Sequence, residues 1–409
     1  MDEYELDTEA QRRLHNYFEV IGEVLNNVQR KASFAIYALG LIGQGNRKSM
    51  EPIAARACAD PERTDAVHQR IQHFLVDSQW SDSEIRRASA LYALEQMSKR
   101  EPITHWIIDD TGFLKKGNHS VGVKRQYTGT AGKVTNCQVG VSLSVATASE
   151  HLPIDFELYL PKEWTEDAAR RQEARIAKDI IFQTKPELGL KMIRRALENG
   201  IPRGLVLVDT AYGNSSKFRR AVRQQGLDYA VAVSSTSKVW QVDSLERRIS
   251  KPLTVSSLAS KMVEEGDFRR YTWREGTSEK LSSLFARRRV LPIRDDGSNR
   301  GEREVLWLVM QWEDGESQPN KFYLCTLSQD ISMKRLVYHI KQRWRTERAY
   351  QDLKGQLGLD HFEGRRYPGW HHHVSVALCC YAFIIAERAR HFFSETGKSR
   401  RDDPERFAA

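Results

Sequence analysis

The chain lacks the cysteine patterns that hold small or metal-stapled folds together. Its five cysteines (Cys58, Cys137, Cys325, Cys379 and Cys380) form no Cys-x-x-Cys pair and no zinc-type spacing with histidine. A zinc site or disulfide scaffold is therefore not expected, and a reducing compartment fits. Long apolar runs are missing too. The longest, VSVALCCYAFIIA from Val374, is too short to span a bilayer and reads as a buried core helix. The opening MDEYELDTEAQRR is acidic and polar, unlike a signal peptide. No internal repeat and no long low-complexity tract is present. GLIGQGNRKS comes near a phosphate-binding loop, but Asn46 stands where such a loop carries its lysine, so no nucleotide cofactor is expected. His371, His372 and His373 are consecutive. Neighbours on a helix point in different directions, so no metal site is expected there.

What the chain does have is length and positive charge. At 409 residues it can bury a large core and is expected to hold two or three domains. Hydrophobic residues make up 40% and charged residues 29%, the balance of an ordinary globular protein. A net charge of +9 and an isoelectric point near 9.2 favour a polyanionic partner.

The hydrophobic pattern changes along the chain. Residues 1–100 read as helical: Leu14, Phe18, Ile21, Leu25 and Val28 mark one apolar face, GQGNRKSMEP interrupts it, and helices follow around Asp65–Leu75 and Ser81–Ser98. Exposed cations suit a DNA-binding module, and a plain helical bundle explains the pattern comparably well. From residue 101 to 234 the order becomes strand, strand, strand, helix, strand, helix, strand: THWIIDD, VTNCQVGVSLSVAT, LPIDFELYL, Lys185–Asn199, GLVLVD, NSSKFRRAVRQQG and DYAVAVS. This is the order of a ribonuclease-H-like mixed sheet with helices on its faces, hence an α/β class. Residues 235–333 are β-rich (REVLWLVMQW, KFYLCTLS) and read as an insertion. Residues 334–395 return to helix as the end of the core, and 396–409 read as a tail.

Two acids follow short apolar strands: Asp110 after WIID and Asp209 after LVLV. Carboxylates at strand ends face the crevice where open α/β sheets bind ligands. Side chains alternate along a strand, so one of Asp109 and Asp110 is expected to serve as a ligand. Downstream, HIKQRWRTERAYQDLKGQLGLD carries Arg343, Glu347 and Lys354. At about 100° per residue these fall within roughly 40° of one another on a helix. A carboxylate flanked by cations suits a metal-bound phosphodiester. Taken singly, each has an ordinary explanation, a turn acid or a solvated i,i+4 pair; the three in this order point to two-metal DNA chemistry.

These residues resemble those of bacterial insertion-sequence transposases with an acidic Asp-Asp-Glu triad. The likeness is to the group named after insertion sequence seven-oh-one, related to the insertion sequence four branch. It is carried by DDTGFLKKGNHSVGVKRQYTGTAGKVTNCQVGVSLSVAT, LYLPKEW, LVDTAYG and the segment from Arg343. The resemblance implies that Asp110, Asp209 and Glu347 are the catalytic acids and bind two Mg²⁺ ions, with Mn²⁺ as a substitute. Arg343 and Lys354 fill the last cationic positions of the branch's Tyr-Arg-Glu-Lys signature, while Ile340 stands at its tyrosine position and leaves Tyr338 or Tyr350 to replace it. Lys115, Lys116, Lys124, Arg125 and Lys133 are expected near the DNA backbone. Trp240, Trp273, Trp307 and Trp312 lie in the insertion, and Trp307 and Trp312 are the candidates for stacking on a displaced base. The expected activity is cleavage of transposon ends and transfer of their 3′-hydroxyls into target DNA, by cut and paste. The expected partners are terminal inverted repeats, target DNA and a second copy in a dimeric synaptic complex, without membrane contact, in the cytoplasm at the nucleoid. A nuclease of the same fold without strand transfer, or a transposase-derived DNA-binding protein, are the competing readings.

Overall fold

The computed structural model describes residues 8–275, 280–296, 300 and 304–395; the expected tail lies outside them. Five helices come first: α1 (Thr8–Leu25), α2 (Val28–Ile42), α3 (Met50–Ala57), α4 (Thr64–Gln72) and α5 (Asp82–Arg100). The apolar face read from Leu14 to Val28 does not run through. Asn26 adopts a left-handed φ of 44° and ends α1, and the Asn27 side chain caps α2 by accepting from the Arg30 amide. Val28 therefore opens a new helix and is 82% exposed, whereas Leu14, Ile21 and Leu25 are buried.

The chain then enters a sheet through β1 (His105–Leu114), β2 (Lys124–Thr128), β3 (Lys133–Ala146) and β4 (His151–Tyr159). Short helices α6 (Lys162–Thr165) and α7 (Ala168–Glu173) lead to α8 (Lys185–Glu198), β5 (Leu205–Val208), α9 (Thr210–Gly213), α10 (Ser216–Gln224) and β6 (Tyr229–Val233). A second β-rich stretch holds β7 (Lys238–Gln241), β8 (Leu253–Thr254), α11 (Val255–Glu264), β9 (Arg269–Glu275), β10 (Lys280–Pro292), β11 (Leu306–Trp312) and β12 (Lys321–Cys325). Three helices close the fold: α12 (Met333–Ile340), α13 (Trp344–Leu357) and α14 (Tyr367–Glu395).

Strands β4, β3 and β1 pair antiparallel, and β5 and β6 follow in parallel to β1. Strand β2 shares the outer edge of β3 with β4. Beyond β6 the same sheet continues: β12 pairs antiparallel with β6, and β11, β10, β7 and β8 follow. The 12 strands thus form one mixed sheet. Strand β1 corrects the expectation that Asp110 closes a short strand. Its last residues, Thr111–Leu114, pair with Gly140–Cys137 of β3, so both acids lie mid-strand.

Helix α14 is buried on nearly all sides, as its apolar run requires, and packs on α5, α2 and β4. Its histidines are core groups. His373 lies between the Tyr37 hydroxyl (2.8 Å) and the Leu359 carbonyl (3.0 Å). A buried ionic network joins α5 to the sheet: Arg86 donates to Asp155 (3.0 Å), Asp82 and Ser375, and Arg195 of α8 donates to Asp155 and Glu157. The lysine of the loop that only resembles a phosphate cradle serves packing. Lys48 Nζ donates to the carbonyls of Leu41, Gly43 and Gln356, tying the ends of α2 and α13 together.

Candidate metal centre and DNA interface

The site forms where two parallel strands part company. Strand β5 pairs with β1 only along His105–Ile107 and ends at Val208. Past that point Asp109 and Asp110 of β1 meet Asp209, and the three carboxylates offer oxygens that all lie within 4.8 Å of one another. Asp209 caps α9 by accepting from the Ala211 amide at 2.9 Å. The last residue of that helix is Gly213, and the backbone of β6 passes too close to it for a side chain: a Cβ there would sit 2.0 Å from the Ala232 carbonyl oxygen. Close packing of α9 on β6 is what fixes Asp209.

Both neighbouring aspartates join the group, against the expectation of one. Alternation along a strand sets the Cα–Cβ directions, not where a carboxylate ends. Asp109 folds back, accepting from the Asp110 amide at 2.9 Å, and this keeps its oxygens beside its neighbour's. Its other oxygen accepts from Arg343 Nη1 at 2.6 Å. Asp110 accepts from Lys185 Nζ at 2.7 Å. Lys185 is the first residue of α8, held by the Thr184–Glu187 capping box. The sequence carries the capping signal but nothing that announces this long-range ion pair.

Burial dominates the electrostatics. It pushes Asp109 up to about 7, with Asp110 and Asp209 adding repulsion and Arg343 partly offsetting both. Asp209 is raised for the same reason. The Tyr212 phenol, three residues after Asp209, is fully buried and its hydroxyl has no hydrogen-bond partner among the described residues; burial and the three acids raise its pKa. Three converging carboxylates at this spacing form a hard oxygen donor set, the kind that fits a divalent cation. This is the one such group among the described residues.

The remaining expected site residues lie at different distances from this centre. Glu347, in the first turn of α13, is outside the three-carboxylate group and exposed, with its Oε1 3.8 Å from Arg343 Nη2. Arg343 lies just ahead of α13 and bridges Asp109 and Glu347. Lys354 is half-buried and donates to the Thr111 hydroxyl (2.8 Å) and the Gly112 carbonyl (2.7 Å), the residues directly after Asp110. Burial lowers its pKa. Lys115 donates to the Phe362 carbonyl (2.6 Å), and Lys124 pairs with Glu163 (3.0 Å). Lys116, Arg125 and Lys133 are exposed. Ile340 ends α12 and is buried, Tyr350 is tied to Ser142 (2.6 Å), and Tyr338 packs on His339. Trp307 lies under Arg287 at 4.2 Å and donates to the Ser328 carbonyl; Trp312 packs edge-on against Phe268 and donates to Glu316. Trp240 packs under Arg248 (4.0 Å) and Trp273 under Lys341 (4.4 Å).

An acidic centre in a mixed sheet is what a metal-dependent phosphodiester enzyme needs, and sequence comparison supplies the class. Residues 20–280 match the DDE superfamily endonuclease family, so the chain belongs to that family. It is 33% identical over 357 residues to a probable transposase for insertion sequence element IS701 from Microchaete diplosiphon, covering 87% of this chain and 82% of that one. Among solved structures, a piggyBac transposase synaptic complex with hairpin DNA aligns over 91% of this chain and 69% of that chain, at 12% identity and a TM-score of 0.46. No helix among the described residues is long and apolar enough to cross a membrane.

Proposed function

We propose that this chain is a DNA transposase that cuts the ends of its own element and joins their 3′-hydroxyls to target DNA by cut and paste. The convergence of the Asp109, Asp110 and Asp209 carboxylates within 4.8 Å carries the reading. The strand order β4-β3-β1-β5-β6 supports a ribonuclease-H-like core. In this reading residues 1–100 form a helical DNA-binding domain. Residues 101–234 and 334–395 build the core, and 235–333 are its β-rich insertion.

Asp110, Asp209 and Glu347 would hold two Mg²⁺ ions, with Asp109 as an added ligand; Mn²⁺ would substitute. When bound, such ions activate an attacking water or 3′-hydroxyl and stabilise the leaving oxygen. Arg343 orients Asp109 and draws Glu347 toward the centre through its second nitrogen. Lys354 fixes the backbone just after Asp110 and, with Arg343 and the cations from Lys115 to Lys133, meets the DNA phosphates. Trp307 and Trp312 would supply a face for a displaced base. The working assembly is a dimer holding two element ends.

Incubating the protein with its element ends, a target plasmid and Mg²⁺ tests the reading. Joined products are expected. Cleavage without joining would make it a nuclease, and a shifted but uncut complex would make it a binding protein. Glu347→Gln should abolish both reactions and leave end binding intact; strand transfer by that variant would sink the assignment of Glu347.

A further inference from the structure

The segment between the first acids and the next acidic residue is unusual in charge. From Thr111 to Ser149 the chain has no aspartate or glutamate, but it has Lys115, Lys116, Lys124, Arg125 and Lys133. The structure folds the middle of this segment into a two-stranded ribbon, β2 and β3, turned by Gly129–Gly132. Tyr127 and Val134 are cross-strand partners on one face of the ribbon, and Arg125 lies two residues from Tyr127 on that face. The opposite face packs inward at Thr128 and Cys137, which are buried; Lys133, the cross-strand partner of Thr128, starts from that face and is exposed at its edge beside the turn. Yet Tyr127 is 63% and Val134 54% exposed. Lys116, Arg125 and Lys133 have no side-chain partner among the described residues.

The ribbon is tied to the metal centre at its turn. The Thr130 hydroxyl accepts from the Gly112 amide (3.1 Å) and contacts the Thr111 hydroxyl (3.4 Å) and Lys354 Nζ (3.4 Å). Gly112 permits the approach, since a Cβ there would meet the Thr128 hydroxyl at 2.0 Å.

We infer that the β2–β3 ribbon is a DNA-gripping element: Tyr127 and Val134 press into a groove of the duplex beside the cut, while Arg125 and Lys133 hold its phosphates. The inference rests on the proposed DNA-cutting function and deepens it. A two-stranded ribbon fits the major groove of B-DNA, and an exposed apolar pair rimmed by unpaired cations complements a polyanion with apolar base edges and sugars. A second copy of this chain suits the patch less well, because the cations would then face one another across a two-fold contact.

Binding of a labelled duplex in Ca²⁺, followed by fluorescence anisotropy across a salt series, tests this with the full chain. Tyr127→Ala should bind about tenfold more weakly at an unchanged salt slope, because it loses apolar contact and no charge. The double variant Arg125→Gln, Lys133→Gln should reduce the slope of log K against log salt by roughly 1.8. Both should melt like the wild type, since all three side chains are exposed. Equal affinity and slope in the variants, beside a wild type that binds, would overturn the inference alone. A wild type that neither binds nor cuts DNA would remove the functional reading as well. A loss of self-association in Tyr127→Ala without DNA, seen by light scattering, would assign the face to protein contact and also overturn it.

Discussion

At the scale of the residue, Asp109 shows how a site costs stability. Burial raises its pKa from an ordinary 3.8 to about 7, so in the folded protein its charge is disfavoured. The unfolded chain ionises it near pH 4. Its contribution is therefore present below that pH and is lost as pH rises through 7. Asp109→Asn should stabilise the metal-free protein at pH 8 by on the order of 4 kcal/mol while weakening cation binding, given the rise to about 7. Denaturation of wild type and variant at pH 5 and pH 8 checks the sign: the gap should be roughly a third as large at pH 5 as at pH 8. Cation affinity of the wild type, read by Mn²⁺ titration, should climb between pH 6 and 8 as Asp109 releases its proton. A flat profile would mean that Asp109 takes no part in the centre. That both adjacent aspartates lie beside Asp209 is not legible from alternation. It depends on a hydrogen bond from the Asp110 amide, a torsional detail that no residue pattern encodes.

At the scale of the element, the sequence is readable where a segment's own composition decides its shape. Strand β5, helices α8 and α14, and the apolar core of β1 follow from apolar runs, a capping box and turn residues. Strand β2 is not legible because KRQYT is short and polar, and its pairing partner supplies the order it lacks. The reach of β1 past Asp110 is not legible because only β3 holds those residues. Glu347 falls beside the three acids and not among them, since spacing along a helix fixes its face but not the helix's distance from the sheet. Lys48 illustrates the same limit. Read as a flawed phosphate loop, it is instead a joint between two helix ends. Lys48→Met should cost about 2–4 kcal/mol, because three buried carbonyl acceptors lose their donor. A urea midpoint within error of wild type would show that water replaces the ammonium. If the joint also positions α13, cleavage by Lys48→Met should fall even at temperatures where the variant remains folded.

At the scale of the whole molecule, buried histidines set the response to acid. Burial lowers His151 to about 3 and His339 and His373 to about 4. In the unfolded chain each takes a proton near pH 6.5, which the folded state refuses until pH 4 or below. Stability from this source is complete above pH 6.5 and is lost as pH falls toward 4. Three histidines acting this way outweigh the single opposite contribution of Asp109. The melting temperature should drop steeply between pH 6.5 and 4.5, and His373→Gln should flatten that drop; an unchanged melting temperature across the window would refute the account. Helix α14 carries a different consequence. It is the last long element in the described chain, and it packs against α5, made almost 300 residues earlier, and against β4 of the sheet that carries the acids. Helix α14 must therefore leave the ribosome before the core around the three carboxylates can close. Nonsense and frameshifted products of such a gene should emerge without their central pillar and be cleared as unfolded chains. In this way the architecture keeps incomplete copies from assembling the acidic centre.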